Sequence, residues 1–448
     1  MEAVNARELA LNVVRDVFPA PGGPARERGA QEALDYRARK MRAGPRERAF
    51  ATELAYGAIK MRRALDWYLH PFVGERMQTL PSAVVEILRL GAYELIYTQA
   101  DVHATVFEFV NLAKRYGHRG LANLVNAVLR GLLRDAPAAP ERAQFADDDD
   151  YLATRYSLPN WLVRRWREAF GDEIEAICAA VNDPARAAVV VNESKIARVQ
   201  AADELRDAGI ATVPSQVVAD CLLIESGGGL LPGLERTAAG RWWIQSESSA
   251  MAVDVLNPQP GETILDVCSG RGNKALQIGA RLAGDGSLTC LERSPVKVAQ
   301  LGRRLEEAGV SAAIVQGDAT AGALPGERDF DRVLVDAPCS GIGVVGRHPE
   351  ARWKKQAGDG ERLAMTQRAV VEGAARSVRE GGVLVYAVCS NDPAETTAVV
   401  RGFLERAPFE RGLIPVGYEP FLNAGGDVAI PPGIAGRDGF FFARLERR

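Results

Sequence analysis

From about Trp242 onward the sequence alternates between short apolar runs and stretches of helical length, and this alternation is the feature that most limits the possible fold. Strand-length apolar runs separated by helices are typical of a doubly wound sheet with parallel strands. In such a sheet the ligand site lies beyond the carboxyl ends of the strands. The predicted strands are residues 262–268, 287–292, 312–317, 332–336 and 383–389.

Two helix starts are marked in this region of the chain. Ser294 followed by Pro295 provides an N-cap and a proline at the first helical position. Asp392, Pro393, Ala394 and Glu395 have the pattern of a capping box with proline at the first helical position. We therefore expect one helix to begin at Pro295 and another at Pro393.

The chain before Trp242 has a different organisation. Residues 5–134 carry apolar residues at three- and four-residue steps, which predicts a bundle of about six or seven helices. Residues 135–150 combine prolines, clustered charge and no periodicity, which indicates a linker. A helix around Trp161 and Trp166 is predicted next, with both tryptophans buried. Strands at 187–192 and 221–224, with a helix at 199–208, predict a small α+β segment. The predicted divisions are 1–137, a linker at 138–150, 151–240 and 241–448.

Length, charge and cysteine usage limit the class of protein further. A chain of 448 residues is too long for one core, and a net charge of -3 restricts any nucleic-acid contact to local basic patches. The six cysteines form no CxxC pair and have no histidine at metal-ligand spacing, so we expect neither a metal site nor disulfides. No run of about 18 apolar residues occurs, and residues 1–5 do not resemble a signal sequence. We therefore expect a cytoplasmic protein without a membrane anchor.

The loop after the first predicted strand has the features of a nucleotide site. It runs from Asp266 to Ala275 and contains G-x-G-x-x-A at the start of a helix, where free backbone N–H groups are available. Glu292 ends the second strand and can accept both hydroxyls of a ribose. Asp318, after the third strand, can accept from an adenine amino group or cap a helix. Because NAD and S-adenosylmethionine both carry adenosine, this pattern does not distinguish them.

Two thiols follow neighbouring strands of the predicted sheet. Cys339 lies in the loop after the fourth strand, beside Asp336, and Cys389 ends the fifth strand, so both are expected at the edge that carries the nucleotide loop. Lone buried cysteines are usually inert, but two at matching strand ends beside a carboxylate favour chemistry. Methylation of carbon 5 of a pyrimidine uses a thiolate, because its addition to carbon 6 makes carbon 5 nucleophilic. The target base must first leave its helix.

Several stretches resemble one known family. The residues from Asp336 to Gly341, followed by those from Gly346 to Trp353, resemble motif IV of the Sun/Nop family of RNA 5-methylcytosine methyltransferases. Val388, Cys389 and Ser390 are similar to its motif VI, and residues 245–249, 438–441 and the Asp266 loop also match. The amino-terminal helices resemble the NusB-like RNA-binding domain. This combination is found in the RsmB-like members of the family, which act on small-subunit ribosomal RNA.

The resemblance implies a fold, a cofactor and roles for particular residues. It implies an all-α NusB-like domain, a small α+β segment and a Rossmann-like methyltransferase domain, which together act as a monomer on small-subunit ribosomal RNA without a metal. In this family pattern Cys389 is the nucleophile, Cys339 assists product release, and Asp336 lies beside the target cytosine. The implied ligands of S-adenosyl-L-methionine are Cys268, Ser269, Gly270, Arg271, Gly272, Asn273, Lys274, Glu292, Asp318 and Asp336.

Three departures from the family pattern leave alternatives open. The usual Cys-Ala-Ala-Pro-Gly-Gly-Lys loop differs at Arg271, which replaces a rigid residue, and at Asn273, which lacks the freedom of glycine, although Gly270 restores part of it. Val388 stands where the family has threonine, and Val190 where it has arginine. One alternative is therefore a non-catalytic RNA-binding or assembly protein with a degenerate methyltransferase domain. Another is an NAD-dependent dehydrogenase, which would leave both strand-end thiols and the helical domain unexplained.

Overall fold

The computed structural model describes residues 4–20, 27–320 and 329–448, and residues 1–3 of the amino-terminal stretch considered above lie outside these ranges. The chain forms two compact units. One unit comprises Met1–Arg164 with Arg347–Lys355, and the other comprises Arg165–Gly346 with Gln356–Arg448. Within the described ranges, every helix is too short or too polar to cross a bilayer.

The first unit is helical, as the periodicity predicted. Its helices are amphipathic, and their leucine, valine and alanine side chains form one buried cluster. Seven of the described α-helices lie before residue 136, which agrees with the predicted bundle. The helices are α1 (Ala6–Val17), α2 (Ala30–Met41), α3 (Pro45–Lys60), α4 (Arg62–Val73), α5 (Ser82–Tyr97), α6 (Val102–Tyr116), α7 (Arg119–Asp135), α8 (Asp148–Arg155), the first part of α9 (Asn160–Phe170) and, from the later segment, α16 (Ala351–Lys354).

The segment that follows the motif around Cys339 belongs to the first unit. The indole Nε1 of Trp353 donates to the carbonyl oxygen of Ile59 at 2.6 Å. The carboxylate of Glu350 accepts from the backbone N–H of Ala30 at 3.0 Å. Although it lies far along the sequence, this segment therefore completes the packing of α2 and α3.

The predicted linker is partly helical. Helix α8 begins at Asp148, and the side chain of Asp147 accepts from the backbone N–H of Asp149 at 3.1 Å. Carboxylates stabilise the amino-terminal turn of a helix through its unpaired N–H groups and its dipole, so the acidic run starts a helix where we expected coil. In α9, Trp166 is fully buried as predicted, whereas Trp161 is only half-buried.

The small α+β segment forms a sheet of its own in the second unit. Its strands are antiparallel and lie in the order β2-β3-β1-β4. The elements are α10 (Ile174–Ala180), β1 (Ala188–Val191), α11 (Arg198–Asp207), β2 (Ala211–Pro214), β3 (Cys221–Ser226), α12 (Leu231–Leu234) and β4 (Trp242–Ile244).

The rest of the second unit is a large mixed sheet with helices on both faces. The strand order is β10-β12-β9-β8-β5-β6-β7, and β11 also pairs with β12. The elements are α13 (Glu247–Leu256), β5 (Thr263–Val267), α14 (Asn273–Leu282), β6 (Ser287–Glu292), α15 (Pro295–Ala308), β7 (Ala313–Gln316), β8 (Phe330–Asp336), α17 (Asp359–Ala375), β9 (Val378–Val388), α18 (Thr397–Leu404), β10 (Phe409–Arg411), β11 (Val428–Ile430) and β12 (Phe440–Arg447).

The five predicted strands form the parallel part of the sheet, and the sequence did not predict the last three strands, β10, β11 and β12. Strands β5 to β9 are parallel, whereas β12 pairs antiparallel with β9, β10 and β11. Between β10 and β12 the chain contains no described α-helix. A strand that returns without a crossover helix pairs antiparallel, which explains the change of direction.

Alternating side chains of the parallel strands face two different cores. Ile264 and Leu334 face a cluster that includes α13, α14 and α15, while Leu265 and Val333 face α17 and α18. This alternation is the period of a β-strand buried on both sides. The polar residues of the site therefore lie at the strand ends, where the loops leave the sheet.

One of the two predicted helix starts is confirmed. Helix α15 begins at Pro295, and the Ser294 hydroxyl accepts from the N–H of Lys297 at 3.4 Å. The other prediction is wrong, because α18 begins at Thr397 after a turn. The Glu395 side chain accepts hydrogen bonds from the buried hydroxyls of Ser340 and Ser390, so it does not complete a capping box.

Candidate active site

A cavity of about 560 Å³ lies at the carboxyl ends of the parallel strands. It is lined by carboxylates, three thiols, apolar side chains and glycines. Among its lining residues are seven that the sequence predicted, which are Cys268, Gly270, Glu292, Asp318, Asp336, Cys339 and Cys389. The structure therefore brings together residues that are as far as 121 positions apart in the chain.

The unusual loop after β5 is not strained by its substitutions. The backbone is left-handed at Gly270 (φ +61°) and Gly272 (φ +90°), where glycine is favoured. Asn273 is the first residue of α14 and needs no such freedom. Its side chain donates to the carbonyl oxygen of Ile244 at 3.3 Å and accepts from Arg304, so it anchors the loop.

Only part of this loop reaches the cavity. Cys268 and Gly270 line it, and burial raises the pKa of Cys268 to about 12. Ser269 is buried and its hydroxyl donates to the carbonyl oxygen of Asp266 at 2.8 Å. Arg271 lies outside the described lining, as do Gly272 and Asn273. These three residues therefore contribute to the conformation of the loop without lining the cavity.

The two carboxylates beyond β6 and β7 are held ready to accept hydrogen bonds. Glu292 accepts from the N–H of Gly270 at 2.9 Å and from the N–H of Ser294 at 2.8 Å. Asp318 accepts from the N–H and the hydroxyl of Thr320, and the hydroxyl contact lowers the pKa of Asp318. Each carboxylate keeps lone pairs for a ligand. The alternative role of Asp318 as a helix cap depends on residues 321–328, and these lie outside the described residues.

A buried lysine connects the loop after β5 to the loop after β8. Lys274 Nζ lies 2.7 Å from Asp336 Oδ2. Burial lowers the pKa of Lys274, but the charge of Asp336 and its hydrogen bond raise that pKa more strongly, so it ends above the ordinary value. Nearby, Asp266 is fully buried, and neither of its carboxylate oxygens has a hydrogen-bond partner among the described residues. Burial raises the pKa of Asp266 to about 7.

The two thiols are in contact. Cys339 Sγ lies 3.3 Å from Cys389 Sγ, and both side chains line the cavity. The hydrogen bond with Cys389 and burial both raise the pKa of Cys339 well above the usual value for a thiol. Cys339 is therefore a neutral S–H donor at neutral pH.

Some residues of the site could not be recognised from their sequence pattern. Glu395, predicted to cap a helix, is fully buried and hydrogen-bonded to the loops of both thiols. Among the described residues, three cations also line the cavity, Arg293, Lys297 and Arg362. The sequence did show that Glu395 lies six residues after Cys389, but a role as a helix cap explained this glutamate more simply.

Comparison with known proteins identifies the family. The family described as 16S rRNA methyltransferase RsmB/F matches residues 253–446, the NusB family matches 4–134, and an RsmF/B-like ferredoxin-like domain matches 158–230. The probable ribosomal RNA small subunit methyltransferase B of Bacillus subtilis is 33% identical over 90% of this chain and 91% of its own length. The chain belongs to the ribosomal RNA small subunit methyltransferase B family. The member from Thermus thermophilus is 35% identical over 100% of this chain and 99% of its own.

One solved structure shows a similar fold over nearly the whole chain, and another shows it over part of the chain. The crystal structure of PH0851 superposes with a TM-score of 0.79 at 23% identity and covers 99% of both chains. The structure of NSun6 from Pyrococcus horikoshii has a TM-score of 0.57 at 19% identity and covers 64% of this chain and 98% of that one. At these identities the likeness concerns the fold alone.

Membership of the methyltransferase B family confirms the predicted resemblance, the fold class and S-adenosyl-L-methionine as the family's cofactor. It also excludes the dehydrogenase alternative. The residues present fit this cofactor, because Gly270 leaves the backbone open beside Glu292 and Asp318. Leu291 and Ala319 offer apolar surface for an adenine ring in the same cavity.

Proposed function

We propose that this protein methylates carbon 5 of a cytosine in small-subunit ribosomal RNA, through a transient covalent bond between Cys389 and carbon 6 of the base. The observation that carries the proposal is the pair of thiols, 3.3 Å apart, in a cavity that also contains Asp336 and the carboxylates suited to adenosine. Membership of a family of ribosomal RNA methyltransferases supports the same substrate. Such a substrate places the enzyme in the cytoplasm.

In this proposal Glu292 binds the ribose hydroxyls of the cofactor and Asp318 binds the adenine amino group. S-adenosyl-L-methionine, when bound, supplies the methyl group. Gly270 keeps the backbone close to the ligand, and Lys274 holds Asp336 in place by their ion pair. The remaining loop residues from Cys268 to Lys274 maintain the shape of this side of the cavity. Their roles follow from position and hydrogen-bonding capacity.

The chemistry is divided between the two thiols. As a thiolate, Cys389 adds to carbon 6 and makes carbon 5 nucleophilic enough to accept the methyl group. Asp336, held by its ion pair with Lys274, orients the base in the cavity during this addition. Cys339, as a neutral thiol, donates a hydrogen bond to the sulfur of Cys389 when the product is released.

The RNA must deliver a single base into the cavity. A cytosine in a helix is inaccessible to Cys389 and has to be flipped out of its stack. Arg293, Lys297 and Arg362 line the cavity and provide positive charge for the phosphates beside the flipped base. The NusB-like residues 4–134 provide a further RNA-binding surface in this proposal.

Two substitutions test the mechanism with labelled S-adenosylmethionine and a transcript of small-subunit ribosomal RNA. Cys389→Ala should abolish methyl transfer, because the raised pKa values of Cys268 and Cys339 keep these other two thiols of the cavity protonated and poorly nucleophilic. Cys339→Ala should accumulate a covalent protein–RNA adduct that survives a denaturing gel. Cys178→Ala, which removes a buried thiol outside the cavity lining, is the matched control and should behave as the native protein.

Three results would count against the proposal. Full activity of Cys389→Ala would show that the nucleophile is a different group. Methylation at a position other than carbon 5, detected by mass spectrometry of the isolated nucleosides, would exclude the cytosine-5 reaction. Absence of any activity in the native protein, despite cofactor binding, would favour the non-catalytic alternative.

A further inference from the structure

Glu395 lies in the turn between β9 and α18, and its side chain is fully buried. Its Oε1 accepts from the backbone N–H of Ser340 at 2.8 Å and from Nε2 of Gln367 at 2.9 Å. Its Oε2 accepts from the hydroxyl of Ser390 at 2.6 Å and from that of Ser340. Donors from three separate parts of the second unit therefore converge on one carboxylate.

The residues bound by Glu395 are the direct neighbours of the two thiols. Ser340 follows Cys339 and Ser390 follows Cys389, and the two serine hydroxyls are 3.1 Å apart. The carboxylate therefore ties together two loops that are 50 residues apart in the chain, one position beyond each sulfur atom. Movement of either serine would change the distance between the thiols.

The hydrogen-bond pattern at this position favours a carboxylate. The N–H of Ser340 and the Nε2 group of Gln367 can only donate, and the two hydroxyls donate to Glu395 as well. An ionised carboxylate accepts all of them, and such charge-assisted bonds are stronger than neutral ones. The Tyr386 hydroxyl also lies 2.6 Å from the carbonyl oxygen of Glu395 and holds its backbone. An amide would put an N–H group where an acceptor is needed.

The two loops depend on Glu395 to different degrees. Ser340 makes two bonds to the carboxylate, whereas Ser390 makes one. Cys389 also follows directly on β9, whose last residue Val388 is paired with β12. Weakening the network should therefore displace Cys339 more than Cys389.

We propose that Glu395 is a positioning residue, which holds Cys339 in contact with Cys389 so that the Cys339 thiol assists release of the methylated product. The inference rests on the proposed covalent mechanism. During release the proton on carbon 5 passes to water, the C–H electrons re-form the double bond between carbons 5 and 6, and the bond from carbon 6 to sulfur breaks. The electron pair of that bond stays on Cys389, and Cys339 donates a hydrogen bond to the departing sulfur.

The test measures methyl transfer and product release separately in the full-length protein. Glu395→Gln keeps the size of the side chain and removes its charge, and Ser390→Ala removes one hydrogen bond as a milder second variant. Single-turnover reactions use labelled S-adenosylmethionine and a transcript of small-subunit ribosomal RNA, and denaturing gels separate the adduct from free methylated RNA. For Glu395→Gln we expect the lifetime of the methylated adduct to rise about tenfold, while methyl transfer slows about threefold or less. Ser390→Ala should change both in the same direction by smaller factors.

Asp427→Asn is the matched control for the loss of a buried carboxylate. Asp427 is buried and accepts from Arg411 at 3.0 Å and 3.1 Å, outside the cavity lining. This variant should lose stability but keep the native ratio of methyl transfer to release. The comparison separates a local effect on the thiols from general destabilisation.

Each result decides between the two proposals. Native adduct lifetimes in both Glu395→Gln and Ser390→Ala would overturn the positioning role. The role would also be overturned if methyl transfer and product release slowed equally in a variant that binds the cofactor poorly. If Glu395→Gln does not fold, Ser390→Ala alone decides. Activity of Cys389→Ala in the same assay would instead refute the covalent mechanism, whatever the Glu395 variants do.

Discussion

Asp266→Asn should remove a pH dependence that is built into the strand beneath the site. Asp266 lies in β5, is fully buried, and has no hydrogen-bond partner on either carboxylate oxygen among the described residues. Burial raises its pKa to about 7, whereas in an unfolded chain the pKa is about 3.9. Between these values the native state keeps a proton that the unfolded chain has released.

The sign and size of the effect follow from this difference in bound protons. Because the native state holds the extra proton, the free energy of unfolding falls as the pH rises through this window. A shift of roughly three pKa units corresponds to about 4 kcal/mol in total, of which about 2.5 kcal/mol falls between pH 5 and pH 7.5. Asparagine has nearly the same shape and does not titrate, so the variant lacks this loss.

Hydrogen exchange of peptides from β5, measured without cofactor from pH 5 to pH 7.5, gives the opening free energy of the second unit. At pH 5 the variant should already be better protected than the native protein by about 1.5 kcal/mol, because the unfolded chain has released most of this proton there. By pH 7.5 this difference should grow by about 2.5 kcal/mol, to about 4 kcal/mol. A difference that stays constant with pH would refute the raised pKa of Asp266.

Two glycine substitutions test close contacts in the two units. Gly57→Ala would place a Cβ 1.9 Å from Cζ of Tyr93. We therefore expect the free energy of unfolding of the first unit to fall by about 2 kcal/mol or more. Unchanged hydrogen exchange of α3 peptides would contradict this packing. Gly272→Ala combines φ +90° with a Cβ 2.5 Å from Cδ1 of Leu301. We expect this substitution to lower the free energy of unfolding of the second unit by about 2 kcal/mol and to weaken binding of S-adenosylmethionine. A native affinity in calorimetry would show that the loop tolerates a side chain there.

Local patterns in the sequence were sufficient for the general architecture. The three- and four-residue periodicity predicted the helical bundle, and the alternation of apolar runs with helices predicted the parallel strands β5 to β9. Because parallel strands end at the same edge of a sheet, the sequence also predicted that Cys339 and Cys389 would lie near each other. Their Sγ atoms are in contact in the structure. These predictions depend only on near neighbours in the chain and on the geometry common to all such sheets.

The sequence did not reveal interactions that depend on long-range packing. It predicted the five parallel strands but not β12, which returns without a crossover helix and pairs antiparallel with β9. It offered no indication that Arg347–Lys355 would pack in the first unit.

Glu395 shows most clearly what only the tertiary structure decided. By sequence it completes a capping box with Asp392, three residues away, and this local assignment is reasonable. Its actual partners include Ser340, 55 positions away, and Gln367, 28 positions away. Burial decides between these possibilities, because a carboxylate removed from water binds the donors that the fold brings to it. The sequence by itself determined which strands end in thiols, and the packing of the folded chain determined what holds those thiols together.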